Sequence, residues 1–160
     1  MRSVVFAVLS ALAVLPSARA ATDAVTPGIW HKSCETPKGG AAHCVAEQIA
    51  VAEPGNRPVL RLAVESQPDG RAKLTALAPL GVSLRAGLSL IVDGAAPIKL
   101  PFERCTAQGC EVSAILDTVA LEKFVKGTTL TVAYAPTDAL TASVPLKLDG
   151  LAAAMAPLSR

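Results

Sequence analysis

Val59-Leu60-Arg61-Leu62-Ala63-Val64-Glu65 is the stretch that decides the fold. Leu60, Leu62 and Val64 share one parity, and Val59, Arg61, Ala63 and Glu65 share the other. Successive side chains of a strand point to opposite faces, so this stretch as a β-strand presents one apolar face and one mixed face. Turn residues bound it on both sides, Glu53-Pro54-Gly55-Asn56 before and Pro68-Asp69-Gly70 after. Working outward, Cys44 to Val51 also alternates. Cys44, Ala46 and Gln48 lie on one side, with Val45, Glu47, Ile49 and Val51 on the other. Lys73 to Leu80 follows the second turn. Leu88 to Val92 is a near-continuous apolar run that fits a buried strand; Asp93-Gly94 turns, and Ile98 to Phe102 is a further strand. Ile29 to Cys34, Thr128 to Tyr134 and Leu140 to Leu148 are strands too, the last with Pro145, a residue that suits an edge. Two segments break the pattern. Asp117 to Lys126 has an acidic start, a basic end and Gly127 beyond it, which are helix start and stop signals. Leu148 to Leu158 is Ala-rich, with Asp149 as the expected N-cap. Many short strands between regularly spaced turns predict a mostly β chain, a sandwich or barrel with one or two short helices.

The first twenty residues have a different character. Arg2 gives a positive start, Val4 to Leu15 is an apolar run broken only by Ser10, and Ala18-Arg19-Ala20 ends the segment. This is the pattern of a secretory signal peptide, and cleavage is expected after Ala20. The alternative is an uncleaved anchor helix, for which the run is short, since crossing a bilayer takes about 20 residues. Residues Ala21 to Gly28, small and polar with Pro27, read as a flexible lead-in to a domain over residues 29–158. Loss of Arg2 and Arg19 from 15 basic residues leaves 13, equal to the 13 acidic ones. A balanced chain with one Trp, one Tyr and three Phe, one of them Phe6 in the leader, lacks the basic surplus of a nucleic-acid binder. No transmembrane segment is expected after cleavage.

Four cysteines, Cys34, Cys44, Cys105 and Cys110, in an exported chain imply disulfides. Of the three possible pairings, Cys34–Cys44 and Cys105–Cys110 are favoured because each pair flanks a short turn-like stretch; crossed pairing is the alternative. His31, Cys34, His43 and Cys44 are zinc-ligand types within fourteen residues, but H-x2-C…H-C is not a usual ligand spacing and export favours oxidised sulfur. No metal or cofactor is therefore expected. The C-x4-C spacing at Cys105 is a weak redox signal against C-x-x-C. No G-x-S-x-G elbow accompanies the serines, no P-loop is present, and Glu65, Asp93 and Glu103 are spread singly. No catalytic residue is assigned, and an enzyme is not expected. Trp30, the single Trp, is expected to be a core residue packed against the nearby bridge.

The order of motifs resembles the invasion-associated locus B family of exported proteobacterial proteins. Trp30 is followed by Cys34, and Cys44 by Gln48. Ala78-Pro79-Leu80-Gly81-Val82-x-Leu84 and Gly87-Leu88-x-Leu90-Ile91-Val92-Asp93-Gly94 come next. Then Pro101-Phe102-x-x-Cys105 with Gly109-Cys110, Lys126-Gly127, and the closing Leu148-x-Gly150-Leu151-x-x-Ala154 complete the series. Ala78 and Leu151 depart from the Leu and Phe usual at those places. The resemblance implies an immunoglobulin-like β-sandwich and a periplasmic or envelope location, and it brings no catalytic residues. The expected function is a non-catalytic binding or interaction module, its partner an envelope or host protein. A structural or stress-protective role without a specific ligand is the alternative, and a thiol-redox partner the third. Loop residues Gln67 to Arg71 and Thr106 to Gln108 are the exposed places where a partner is expected.

Overall fold

The computed structural model describes residues 24–35, 38, 43–137 and 140–156. The expected leader, residues 1–20, lies outside them. The deciding stretch sits within strand β4 (Arg57–Ser66), between β3 (His43–Glu53) and β5 (Ala72–Ala78), and all three are antiparallel neighbours. Leu60, Leu62 and Val64 are buried and Arg61 is exposed, as the alternation requires. Val59 departs from it. The β3–β4 ladder pairs Ala50 with Leu60 but Val51 with Pro58, so Val59 is an extra, bulged residue and turns inward with Leu60.

The first sheet has seven strands in the order β1-β3-β4-β5-β9-β8, with β2 also beside β3. Here β1 is Ala24–Pro27, β2 is His31–Glu35, β8 is Arg104–Thr106 and β9 is Gly109–Leu116. Strands β1 and β2 lie end to end along one side of the eleven-residue β3. The segment Ala21 to Gly28 was expected to be a flexible lead-in; over Ala24–Pro27 it is instead a paired strand, Ala24 opposite Glu53 and Pro27 opposite Ala50. Its Ala-Val-Thr-Pro sequence has too little apolar contrast to announce a strand, and the pairing is supplied by the length of β3. Residues 21–23 lie outside the described set. Similarly, the strand expected from Ile29 begins only at His31, since Gly28, Ile29 and Trp30 form the link between β1 and β2.

The second sheet has four strands in the order β11-β10-β6-β7: β6 (Leu88–Val92), β7 (Ile98–Leu100), β10 (Thr129–Thr137) and β11 (Leu140–Lys147). Pro145 is on β11, an edge, as its missing N–H demands. The apolar faces of the two sheets meet in one core that includes Leu62, Leu74, Leu90, Val112, Leu130, Val132 and Leu146. This is a mostly β sandwich with two short helices. Helix α1 (Thr118–Lys126) starts where Asp117 accepts from the Ala120 N–H at 2.7 Å, and it buries Phe124. Helix α2 covers only Leu151–Met155, and Gly150 rather than Asp149 occupies its N-cap, with φ +89°. That left-handed conformation favours Gly over Asp.

Asp93 ties the second sheet to the end of α1. Its carboxylate accepts from the N–H groups of Thr128 at 3.1 Å and Thr129 at 2.8 Å. We expect Asp93→Ala to cost about 1–2 kcal/mol, as for a lost helix cap, in urea denaturation. Asp93→Asn, which retains an acceptor oxygen, should recover part of it.

Candidate functional site

The four cysteines form the two local bridges. Cys34 faces Cys44 across β2 and β3, and Cys105 faces Cys110 across β8 and β9, with Cα separations of 4.1 and 4.0 Å. They staple opposite edges of the seven-stranded sheet. Cys44 and Cys110 are buried, and Cys105 is exposed. Because the sulfurs of Cys34 and Cys44 are bonded to each other, they are not available as the zinc thiolates that the His-Cys cluster suggested. His31 is exposed opposite Glu47; the side chain of His43 lies outside the described residues.

Around the Cys34–Cys44 end, residues far apart in sequence converge on the link between β1 and β2. Gly28 donates to the Ile49 carbonyl at 3.0 Å, and a Cβ at position 28 would stand 2.5 Å from that same oxygen. The link can therefore lie flat against β3 only with glycine there. Opposite it, the inward parity of β3 carries one polar residue, Gln48, which is 1 % exposed. Its Nε2 donates to the carbonyls of Gly28 at 3.0 Å and Lys147 at 3.2 Å, and its Oε1 has no partner among the described residues. Trp30 Nε1 donates to the same Lys147 carbonyl at 2.8 Å. Leu148 N–H points to the Thr128 carbonyl on the β10 side, so the Lys147 carbonyl faces away from the ladder. One side chain of the first sheet, Gln48, and one of the β1–β2 link, Trp30, thus cap an acceptor on an edge strand of the second sheet.

Trp30, expected as a core residue beside the bridge, is half-buried and packed against the core, and it reaches across to β11 and the start of α2, where Gly150 is close to its ring. Gln48 was not singled out as a functional residue, although its place beside Cys44 and Ala46 in the inward parity was the signal. We expect Gln48→Leu to destabilise the fold by about 1–2 kcal/mol, because the half-buried Gly28 carbonyl loses its donor. Fluorescence of the single Trp30 should shift in the same variant if the corner loosens, while Ile49→Ala, on the outer parity, should leave the emission unchanged.

The two loops proposed for a partner are not brought together. In the β5–β9 ladder Ala72 pairs with Leu116 and Ala78 with Cys110, so the turn at 67–71 and the turn at 106–108 sit at opposite ends of the sheet, about 20 Å apart. The first is a self-contained turn. Gln67 N–H donates to the Arg71 carbonyl at 2.9 Å, Arg71 pairs with Asp69 at 2.6 Å, and the Asp69 carboxyl is held below the ordinary range mainly by hydrogen bonds from the Arg71 side chain and backbone. In the second, Gln108 N–H donates to the Thr106 hydroxyl at 3.3 Å.

A profile of the family described as invasion associated locus B protein matches residues 30–159. The chain belongs to this family. Several of the residues on which the sequence resemblance rested hold the sandwich together: Trp30 and Gln48 at the corner, both bridges, Asp93 at the α1–β10 junction, and Leu151 and Ala154 buried against the core. Among solved structures, the crystal structure of invasion associated protein B from Bartonella henselae is similar, with a TM-score of 0.69 and 24 % identity. The match covers 81 % of this chain and 89 % of that one. At that identity the likeness establishes the fold. No curated protein matches.

Proposed function

We propose that this member of the invasion-associated locus B family is an exported envelope protein that works as a non-catalytic interaction module. One observation carries the reading: Gln48, Asp93 and the four cysteines, on which the family resemblance rested, are occupied in holding the sandwich together, by capping and stapling. What such a protein offers to its surroundings is the surface of a stiffened scaffold. Two bridges support an oxidising compartment, since cytosolic thiols are kept reduced. No helix among the described residues is long and apolar enough to cross a membrane.

The test is cell fractionation followed by crosslinking. The expected result is a chain beginning at Ala21 in the osmotic-shock fraction, without titratable thiols and crosslinked to a discrete envelope or host protein. Recovery of reduced, full-length chain from the cytoplasm would overturn the export reading. Export without any crosslinked partner, with altered envelope integrity in a deletion strain, would favour a structural role instead.

A further inference from the structure

The Gln48 amide is held in one orientation. Its Nε2 donates to two carbonyls, those of Gly28 and Lys147, so a flipped amide would set an oxygen against two oxygens. Oε1 is therefore fixed on the other side, buried and without a donor among the described residues. A buried acceptor left empty is costly and rare, and it calls for a donor from outside. The donors nearest to it are turned elsewhere. Trp30 Nε1 is committed to the Lys147 carbonyl, and Lys32 Nζ donates to the Ala156 carbonyl at the end of α2.

Gln48 lines a cleft of about 450 Å³ between the β1–β2 link and α2, together with Gly28, Trp30, Lys32, Asp149 and Ala153. Trp30 is half-buried, so part of its indole stays open to the cleft. Asp149 is exposed. It was expected to cap α2, but Gly150 holds that position and no side chain caps the helix. The Asp149 carboxylate makes no hydrogen bond or ion pair among the described residues. The cleft thus offers two acceptors beside an indole, Gln48 Oε1 within and Asp149 at the mouth.

This set fits a ligand with several donors and one apolar face. A hydrocarbon would leave Oε1 unpaired. A phosphate or carboxylate group has no hydrogen to give and would stand against Asp149. An alkylammonium would answer both acceptors, but the Lys32 ammonium in the same lining opposes a second cation. A neutral sugar ring meets each requirement: its hydroxyls both donate and accept, and its C–H face lies on the electron-rich face of an indole. We propose that this cleft binds a pyranose unit of a neutral glycan, with one hydroxyl donating to Gln48 Oε1, another to Asp149, and the ring resting on Trp30. The proposal rests on the reading of this protein as a non-catalytic interaction module and adds a class of ligand to it. A failed titration would leave the export, thiol and crosslinking results standing, so the two readings fail separately.

The experiment is titration of the purified, oxidised protein with the methyl glycosides of glucose, galactose, mannose and N-acetylglucosamine. Trp30 is the single Trp of the chain, so its emission reports on the cleft directly. The side-chain amide of Gln48 is followed by NMR in parallel. At least one glycoside is expected to shift the emission saturably, with a Kd of about 1 mM as suits a ligand of this size, and to move the Gln48 amide signal. The acetamido sugar and the plain ones share the chemistry, and the tightest binder names the class of glycan. Asp149→Ala should weaken that binder about fivefold, as for one exposed hydrogen bond to a charge. Ala153→Phe, on the exposed side of α2, should fill the cleft and abolish binding while the melting temperature holds. Should Ala153→Phe fail to fold, Asp149→Ala makes the test alone, since Asp149 is exposed and caps nothing. A folded wild type that binds none of these glycosides, or binding that both variants leave untouched, would overturn the site. Tighter binding of butylammonium than of any glycoside would overturn the assignment to a sugar.

Discussion

Reducing both disulfides is expected to lower the melting temperature by about 15 °C. The bridges close short loops, with sequence separations of 10 and 5. In the chain-entropy view each such loop contributes about 2–3 kcal/mol by restricting the unfolded chain. The two staples lie at opposite edges of the large sheet and share no partner, so their effects should add to about 5 kcal/mol. That is a large share of the 5–15 kcal/mol typical of a domain, and each kcal/mol moves the melting point by about 3–4 °C at this size. Scanning calorimetry with and without a phosphine reductant measures it. The paired variant Cys34→Ser/Cys44→Ser should lose slightly more than Cys105→Ser/Cys110→Ser, since its loop is the longer one. A total shift below a few degrees would contradict the role given to the bridges.

Phe124→Ala should cost about 3–5 kcal/mol, the usual loss for a core Phe whose cavity cannot collapse. Phe124 is the one fully buried residue of α1, and it sits in the common core. Its neighbours Ala120 and Leu121 are partly buried, so little apolar material can move into the space. The urea midpoint should fall with little change in slope, because the surface exposed on unfolding is nearly the same. Val119, on the same helix but 61 % exposed, is the control. Val119→Ala should change stability by less than about 0.5 kcal/mol.

Much of this fold is legible in the residues, and the failures have physical causes. Alternation in Val59–Glu65 placed Leu60, Leu62 and Val64 correctly, because a period of two leaves no other way to gather them. It misplaced Val59, since a bulge is set by pairing with β3 and leaves no mark in β4 alone. The acidic start and glycine stop of α1 were readable, because caps are local. Strand β1 was not, because four small or weakly patterned residues become a strand only against a long neighbour. At the corner, the cysteine pairing followed from short spacing. The meeting of Gln48 and Trp30 with Lys147 depends on how two sheets stack, and no local pattern encodes it.

The Lys147 carbonyl has one more consequence, which concerns timing. Its two donors precede it by 117 and 99 positions, so they wait for nearly the whole chain. While the polypeptide is still growing from its N-terminus, Trp30 and Gln48 lack this acceptor, Gln48 having only the Gly28 carbonyl, and the two sheets are unlatched at that side. Contacts of such separation come late, after the loop entropy of the intervening chain has been overcome. The fastening at this corner therefore forms only in a molecule that has β11, and a chain broken off before it lacks the Lys147 carbonyl that latches this side of the two sheets.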